Sequence, residues 1–522
     1  MERILFSYLL IILIPALGCG GEFQVNTHTS NKQENAAIAM DANSNFVAVW
    51  SSYLQDGNSN GIFGQRFDTN CSPVGDEFPV NTTTIGNQKM PAVAMDSAGN
   101  FVVVWHGPGV SEEDIFARRF EPNGTPLADE FRVNSRTDSR QLSPGAAMND
   151  NGKLIIVWES LDIADPCTKS IRGQVYDISG AKIGDELLIS DEQSVCRFPD
   201  VVINDTNLVI VAWTGQSSLN SVHVRHFQAN GNEPNENSVT PTQVNKDNFS
   251  SLTKPSIAVD ANGNYAIVWD GHPDTYLEDD VYLRRYHWSH FTDKDEQPIL
   301  VNTYQSGAQR NPSVAMSGDG RFVVVWESDT GTTQKDIFGQ RFASAGEYVA
   351  TPVTVGEQFR INTYTLDEQE RPAAAMSDSG SFVTIWQSDG QDGAGLGIFG
   401  DIGPKVGCAD FTEDGFVDSR DYCVLGDEWL KDQNPLTADL IDDNKIDGQD
   451  LAGFCEQWLR PCYECSEVDI NNDGRIDFRD YGFWADNWSK EGPGLIGDFT
   501  ANGTVNFEDL RALLFHWVKS CN

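Results

Sequence analysis

The chain is 522 residues long, with 36 Lys and Arg against 77 Asp and Glu, a formal net charge of −41 and 39% apolar residues. That length calls for at least two domains, and the apolar share belongs to a globular rather than a disordered chain. So negative a charge excludes a nucleic-acid partner, which needs a basic footprint, and suits cation binding instead.

The N-terminus reads MERILFSYLLIILIPALGCGGEF, with Arg3 ahead of an apolar run from Ile4 to Leu17 and small residues behind it. This predicts an export signal over residues 1–18, too short and wrongly flanked for a membrane span. Ala-Leu-Gly-Cys resembles a lipoprotein box, which implies a lipidated N-terminus at Cys19. Ala16 stands where that box usually has Leu, and Ala-x-Gly also suits ordinary signal peptidase. The chain is therefore expected outside the cell or at its surface, meeting the membrane only through such an anchor. Cysteines in an exported chain are expected to be bridged, Cys167 and Cys196 forming a local pair.

Self-similarity dominates the next 380 or so residues. The segments AAIAMDANSNFVAVW, PAVAMDSAGNFVVVW, PSIAVDANGNYAIVW, PSVAMSGDGRFVVVW and PAAAMSDSGSFVTIW belong to seven copies. Their tryptophans are Trp50, Trp105, Trp158, Trp213, Trp269, Trp326 and Trp386, spaced 53 to 60 residues apart. Each copy reads as four short strands: PxVAM, a tight Asp/Asn/Gly turn into FVVVW, then IFGQRF and EFxVNT after loops. FVVVW is apolar on both alternate faces, which predicts burial on both sides, as between stacked propeller blades and unlike a two-sheet sandwich. The seventh copy stops at Ile398 to Ile402 without a fourth strand, and Glu22 to Thr27 (EFQVNT) supplies one from the other end of the chain. The pattern predicts a mainly β fold: a seven-bladed β-propeller over residues 22–403, closed by its N-terminal strand so that no edge is left open.

The repeated polar residues read as scaffold. The Asp-x-x-Gly turns are hairpins that need a positive φ, and Arg66, Arg119, Arg285 and Arg341 share one slot in the third strand, as ties would. A specific site is expected in the variable loops after each Trp, such as SSYLQDGNSNG, DGHPDTYLEDD and QSDGQDGAGLG. These are acidic and Gly-rich with an occasional Tyr, as weak cation or sugar sites are. His223 with His226, and His287 with His290, are the histidine pairs; three-residue spacing on a strand turns their side chains to opposite faces, against a metal site. No HExxH, GxSxG or P-loop string occurs, and no catalytic residue stands out.

From Lys405 to Asn522 there are 25 acidic and 10 basic residues, a crowding of carboxylates that repels itself unless cations neutralise it. Four twelve-residue segments begin at Asp410, Asp439, Asp469 and Asp498. The third is complete: Asp469, Asn471 and Asp473 lead, Gly474 turns, Arg475 offers its carbonyl, Asp477 acts through water and Asp480 closes. Ca²⁺ takes about six to eight oxygens from such alternating positions. The first loop offers Asp410, Thr412, Asp414, Phe416, Asp418 and Asp421. The second offers Asp439, Asp443, Lys445, Asp447 and Asp450, and the fourth Asp498, Thr500, Asn502, Thr504, Asn506 and Asp509. An apolar residue follows each closing Asp (Tyr422, Leu451, Tyr481, Leu510), and a Trp falls eight positions after it (Trp429, Trp458, Trp488, Trp517), which predicts a helix with one apolar face. With Asp rather than Glu closing each loop, and no amphipathic helix ahead of it, these repeats resemble those of type I dockerins. The resemblance implies a small α-helical calcium-binding domain over 405–522 and a cohesin-like or other protein partner.

These observations point to a secreted or surface-anchored calcium-binding interaction protein, the propeller serving recognition and the repeats docking, linked to polysaccharide binding or breakdown. The alternative is a glycoside hydrolase or lyase with its site on the propeller, which would need a pair of facing carboxylates. A purely structural surface protein is the third reading.

Overall fold

Each second strand is a run of Phe, Val, Ile and Trp, side chains that fit a pleated surface packed on both sides. In the computed structural model these runs form Phe46–Tyr53, Phe101–Pro108, Leu154–Leu161, Leu208–Gln216, Tyr265–Pro273, Phe322–Asp329 and Phe382–Asp389. The structure describes residues 22–403 apart from 162–168, 191–194, 217–219, 231–240, 246–248, 253, 274–277, 288–291, 294, 296, 305, 330–333 and 344–353. The chain divides into two compact units, Met1–Val406 and Gly407–Asn522, and the described residues belong to the first. They are mainly β, with no helix among them. The expected export signal at 1–18, Cys19, Cys167, His290 and the expected calcium loops at 410–421, 439–450, 469–480 and 498–509, with every ligand named in them, lie outside the described residues.

Each second strand lies antiparallel between a first and a third strand. In the first repeat the order is Gln33–Met40, Phe46–Tyr53, Asn60–Phe67 and Phe78–Pro79. The third, fourth and fifth repeats are built alike; single bridges, Lys169 with Val195 and Asn220 with Phe249, link them into one fourteen-stranded sheet, but apart from these bridges each repeat is a sheet of its own, seven in all. The seventh sheet takes its outer strand from the N-terminus: Phe23–Gln24 lies antiparallel to Leu396–Gly403, Phe23 opposite Gly400 and Gln24 opposite Phe399. Only a glycine leaves room there, because a Cβ on Gly400 would come within 2.9 Å of the Phe23 ring.

The first strands of successive repeats touch one another in chain order, and that of the seventh, Gln369–Met376, touches that of the first. The core follows suit. Seven apolar clusters are each shared by two neighbouring sheets. Ala48 and Trp50 pack against Ile385 and Ile398 of the seventh sheet, while Val47 and Val49, on the opposite face of the same strand, pack with Trp105 of the second. An open row of seven sheets would have one seam fewer, so every sheet here is covered on both faces.

Candidate functional site

The repeated polar residues are consumed by the seams. The Asn of each VNT motif lies beside a third strand and accepts one of its N–H groups. Asn81 takes that of Ile62 at 2.6 Å, Asn134 that of Ile115 at 2.8 Å, and Asn26 that of Ile398 at 2.6 Å. The Glu ahead of this motif reaches back to the preceding sheet, where Glu77 accepts the N–H of Thr27 at 2.7 Å and Glu22 that of Thr363 at 2.6 Å. Residues 22–27 therefore take both parts, as any fourth strand does. Arg66 donates to the carbonyl of Pro122 at 3.0 Å and Arg119 to that of Ile178 at 2.6 Å, each in the next sheet. Arg285 pairs instead with the buried Asp295 at 2.7 Å, and Arg341 lies 5.0 Å over the Phe359 ring. The hairpin aspartates close their own turns, Asp96 accepting the N–H of Asn100 at 2.8 Å with Gly99 at φ 86°. His223 stacks on Trp213, and His226 shares a 2.7 Å hydrogen bond with the Tyr265 hydroxyl while burial holds its pKa down to about 4. Both histidines thus pack against aromatic residues of the sheets.

A second polar ring follows the tryptophans. The residue after Trp is Glu159, Asp270, Glu327 or Gln387 in four repeats, and all four are buried. Three of them accept the N–H of a bulged residue with positive φ in the next first strand. Glu159 takes Phe198 at 2.9 Å, Glu327 takes Arg371 at 3.0 Å, and Gln387 takes Asn35 at 2.5 Å. Buried acids need compensation. Lys169 lies 3.5 Å from Glu159, and Lys335 lies 3.7 Å from Glu327 and also holds Glu370. Burial works against the Lys335 charge, but its bond to Glu370 and the nearby Glu327 and Glu368 outweigh it and raise its pKa. In the 270–280 loop, His272 and Arg310 bind the two oxygens of Asp279 at 2.6 and 2.7 Å. Burial, then the charges of Asp279 and Glu327, push the Asp270 carboxyl well above the usual carboxylate range. This cluster ties the fifth and sixth sheets.

The loops at 51–61 and 387–397 come together elsewhere, on a cavity of about 590 Å³ where the seventh, first and second sheets meet. Its walls are Asn31, Lys32 and Glu34 before and within the first strand of the first sheet, Tyr53 and Asn60 flanking the loop after Trp50, Asn87 and Lys89 of the second sheet, and Ala394 and Gly395 of the seventh. Asn60 donates through Nδ2 to Asn87 Oδ1 at 3.0 Å, and the Tyr53 N–H reaches the Lys32 carbonyl at 2.9 Å, so the walls are tied. Asn31 and Gly395 both have positive φ, 67° and 98°, and lie close enough that a Cβ on Gly395 would sit 3.6 Å from the Asn31 carbonyl oxygen. Tyr53 is 43% exposed and is the one aromatic ring in the walls. A concave site of this size with convergent polar groups holds a small ligand or one or two units of a polymer. Two of the three variable loops that the sequence singles out border it. The 270–280 loop does not, and Asn31, Lys32, Glu34, Asn87 and Lys89 carry no sequence signal beyond lying outside the repeated motif. No group of three or more His, Cys, Asp or Glu is placed to hold a metal ion among the described residues.

No protein-family model matches the chain, and no curated protein is significantly similar to it. Solved structures are similar in fold at low identity. One is a protein of unknown function from Dyadobacter fermentans, with TM-score 0.44, 10% identity, and 74% of this chain and 99% of that chain covered. A polysaccharide lyase, an ulvan lyase, has TM-score 0.46 and 10% identity over 74% and 96% of the two chains. An α-L-arabinofuranosidase from Fusarium graminearum has TM-score 0.40 and 10% identity over 62% and 97%.

Proposed function

We propose that the mature chain is a recognition protein of the cell exterior. Residues 22–403 are a seven-bladed β-propeller closed by its N-terminal strand, which binds polysaccharide in the cavity beside Tyr53. Residues 405–522 are dockerin-like repeats that dock the propeller, with Ca²⁺, to a cohesin-like protein. The observation that carries the polysaccharide part is the cavity's chemistry: one exposed aromatic ring among three asparagines and three charged side chains. An aromatic face covers the C–H face of a sugar ring while amides meet its hydroxyls. The glycoside hydrolase reading asks for two carboxylates at one ligand, and this cavity presents Glu34 alone. The calcium part rests on the donor set, which is hard oxygen throughout; in the third loop Asp469, Asn471, Asp473, the Arg475 carbonyl and Asp480 would hold the ion.

The test is affinity electrophoresis of the mature chain through gels cast with a panel of polysaccharides, with and without EDTA. At least one polymer should retard the chain, and Tyr53→Ala should lose most of that retardation. EDTA should abolish capture of a protein partner and leave sugar binding in place. If no polymer retards the chain, or if Tyr53→Ala is retarded equally, the polysaccharide reading is wrong.

A further inference from the structure

Cations are scarce in this chain, 36 against 77 acids, so a lysine or arginine usually has a carboxylate at hand. At the seams Arg140 pairs with Glu113 and Arg310 with Asp279, both at 2.7 Å, while Arg66 and Arg119 donate to backbone carbonyls. The ammonium groups of Lys32 and Lys89 make neither kind of contact among the described residues. Both line the cavity between the seventh, first and second sheets, and neither makes a salt bridge among the described residues. They come from opposite walls, Lys32 just before the first strand of the first sheet and Lys89 opening that of the second, where it lies opposite His106. The lining residues carry two lysines against one acid, Glu34, in a protein that is strongly negative as a whole. His106 adds no third charge: burial lowers its pKa to about 4, with Glu113 opposing and Lys89 and Arg140 reinforcing the shift.

We infer that the sugar this cavity takes is anionic, a uronate or sulfated unit of an acidic polysaccharide, with Lys32 and Lys89 receiving its charged group. The inference rests on the polysaccharide reading above and narrows it. An ammonium is a compact, flexible point charge that follows either anion without the fixed fork of a guanidinium. The Asn60–Asn87 pair and the Tyr53 ring then handle the neutral part of the same unit. A protein of net charge −41 repels polyanions at long range, so a binder of acidic polysaccharide needs such a local reversal of sign.

The experiment is titration calorimetry of the full mature chain at low and high salt. The probes are an oligogalacturonate, its methyl ester as the neutral control on the same backbone, and a sulfated galactan oligosaccharide. One or both anionic probes should bind at least about tenfold more tightly than the ester, as expected of charge-assisted hydrogen bonds. That advantage should shrink with salt. Lys32→Gln and Lys89→Gln should each remove about tenfold in affinity for the anionic probe and leave the ester unchanged, with circular dichroism like the parent. The uronate and sulfate arms decide which anion is preferred. Anionic binding undiminished in the double variant overturns the assignment. Preference for the neutral ester overturns it too, while leaving polysaccharide binding intact. If none of these oligosaccharides binds and no polymer retards the chain in the gels, both readings fall.

Discussion

Asp401 offers the sharpest test of how the strand beneath the N-terminal segment is held. It lies in Leu396–Gly403, the strand on which the N-terminal segment docks, opposite the fully buried Thr384. The equivalent position is Gln65, Gln174 or Gln340 in three other repeats, and each donates its amide to a nearby carbonyl: Gln65 to Arg66 O at 2.9 Å, Gln174 to Val175 O at 3.1 Å, Gln340 to Arg341 O at 3.0 Å. An ionised Asp can donate nothing there. Burial, and after it the charge of Glu22, push its carboxyl up to about 7 from 3.8. The folded state thus holds a proton that the unfolded chain releases earlier. The stability this group contributes is fully present below pH 3.8 and drains away as pH rises to about 7. Three pH units at 1.36 kcal/mol each set a ceiling of about 4 kcal/mol, and water reaching the partly exposed group reduces this to about 1–3 kcal/mol. Asp401→Asn, which keeps the shape and restores a donor, should therefore melt about 2–5 °C above the parent at pH 8. The gap should close steadily toward pH 4. Melting curves of both proteins from pH 4 to pH 9 read this directly, since carboxylates that do not interact with Asp401 cancel in the difference. Parallel curves at all pH values would refute the argument.

Removing the clip at the same junction should also be felt. Asn26→Ala leaves the buried N–H of Ile398 without its acceptor and should cost about 1–3 kcal/mol in urea titrations, whereas the same change at the exposed Asn123 should cost almost nothing. On the proposed calcium reading of the C-terminal repeats, Asp480→Ala should remove one tight calcium from the stoichiometry measured by calorimetry on the full chain, because the closing carboxylate would supply two oxygens and a charge. An unchanged calcium count would assign Asp480 to a helix cap instead.

Much of this architecture is written in contiguous stretches of chain. The alternation in FVVVW states that both faces of the second strand are covered, the seven tryptophans count the sheets, and the missing fourth strand after Ile402 matches EFQVNT at the N-terminus. Such features are local, so periodicity alone exposes them. The proposed calcium loops rest on the same kind of local signal, each being twelve consecutive residues with oxygen-bearing groups at alternating positions. The cavity is different. Asn31, Tyr53, Lys89 and Gly395 lie hundreds of residues apart at the extremes, and no one of them belongs to the repeat motif. They meet because the seventh sheet packs against the first, a contact between repeats at opposite ends of the described chain. The roles of the seam acids were equally hidden. Glu159, Asp270 and Glu327 carry no signal in the sequence beyond following a Trp, and their neighbours are lysines, N–H groups and other acids contributed largely by adjacent sheets. Local pattern determined the strands and their number; the sign of a pocket and the charge state of a carboxyl depend on what the fold places within a few ångströms, and that was decided by tertiary structure alone.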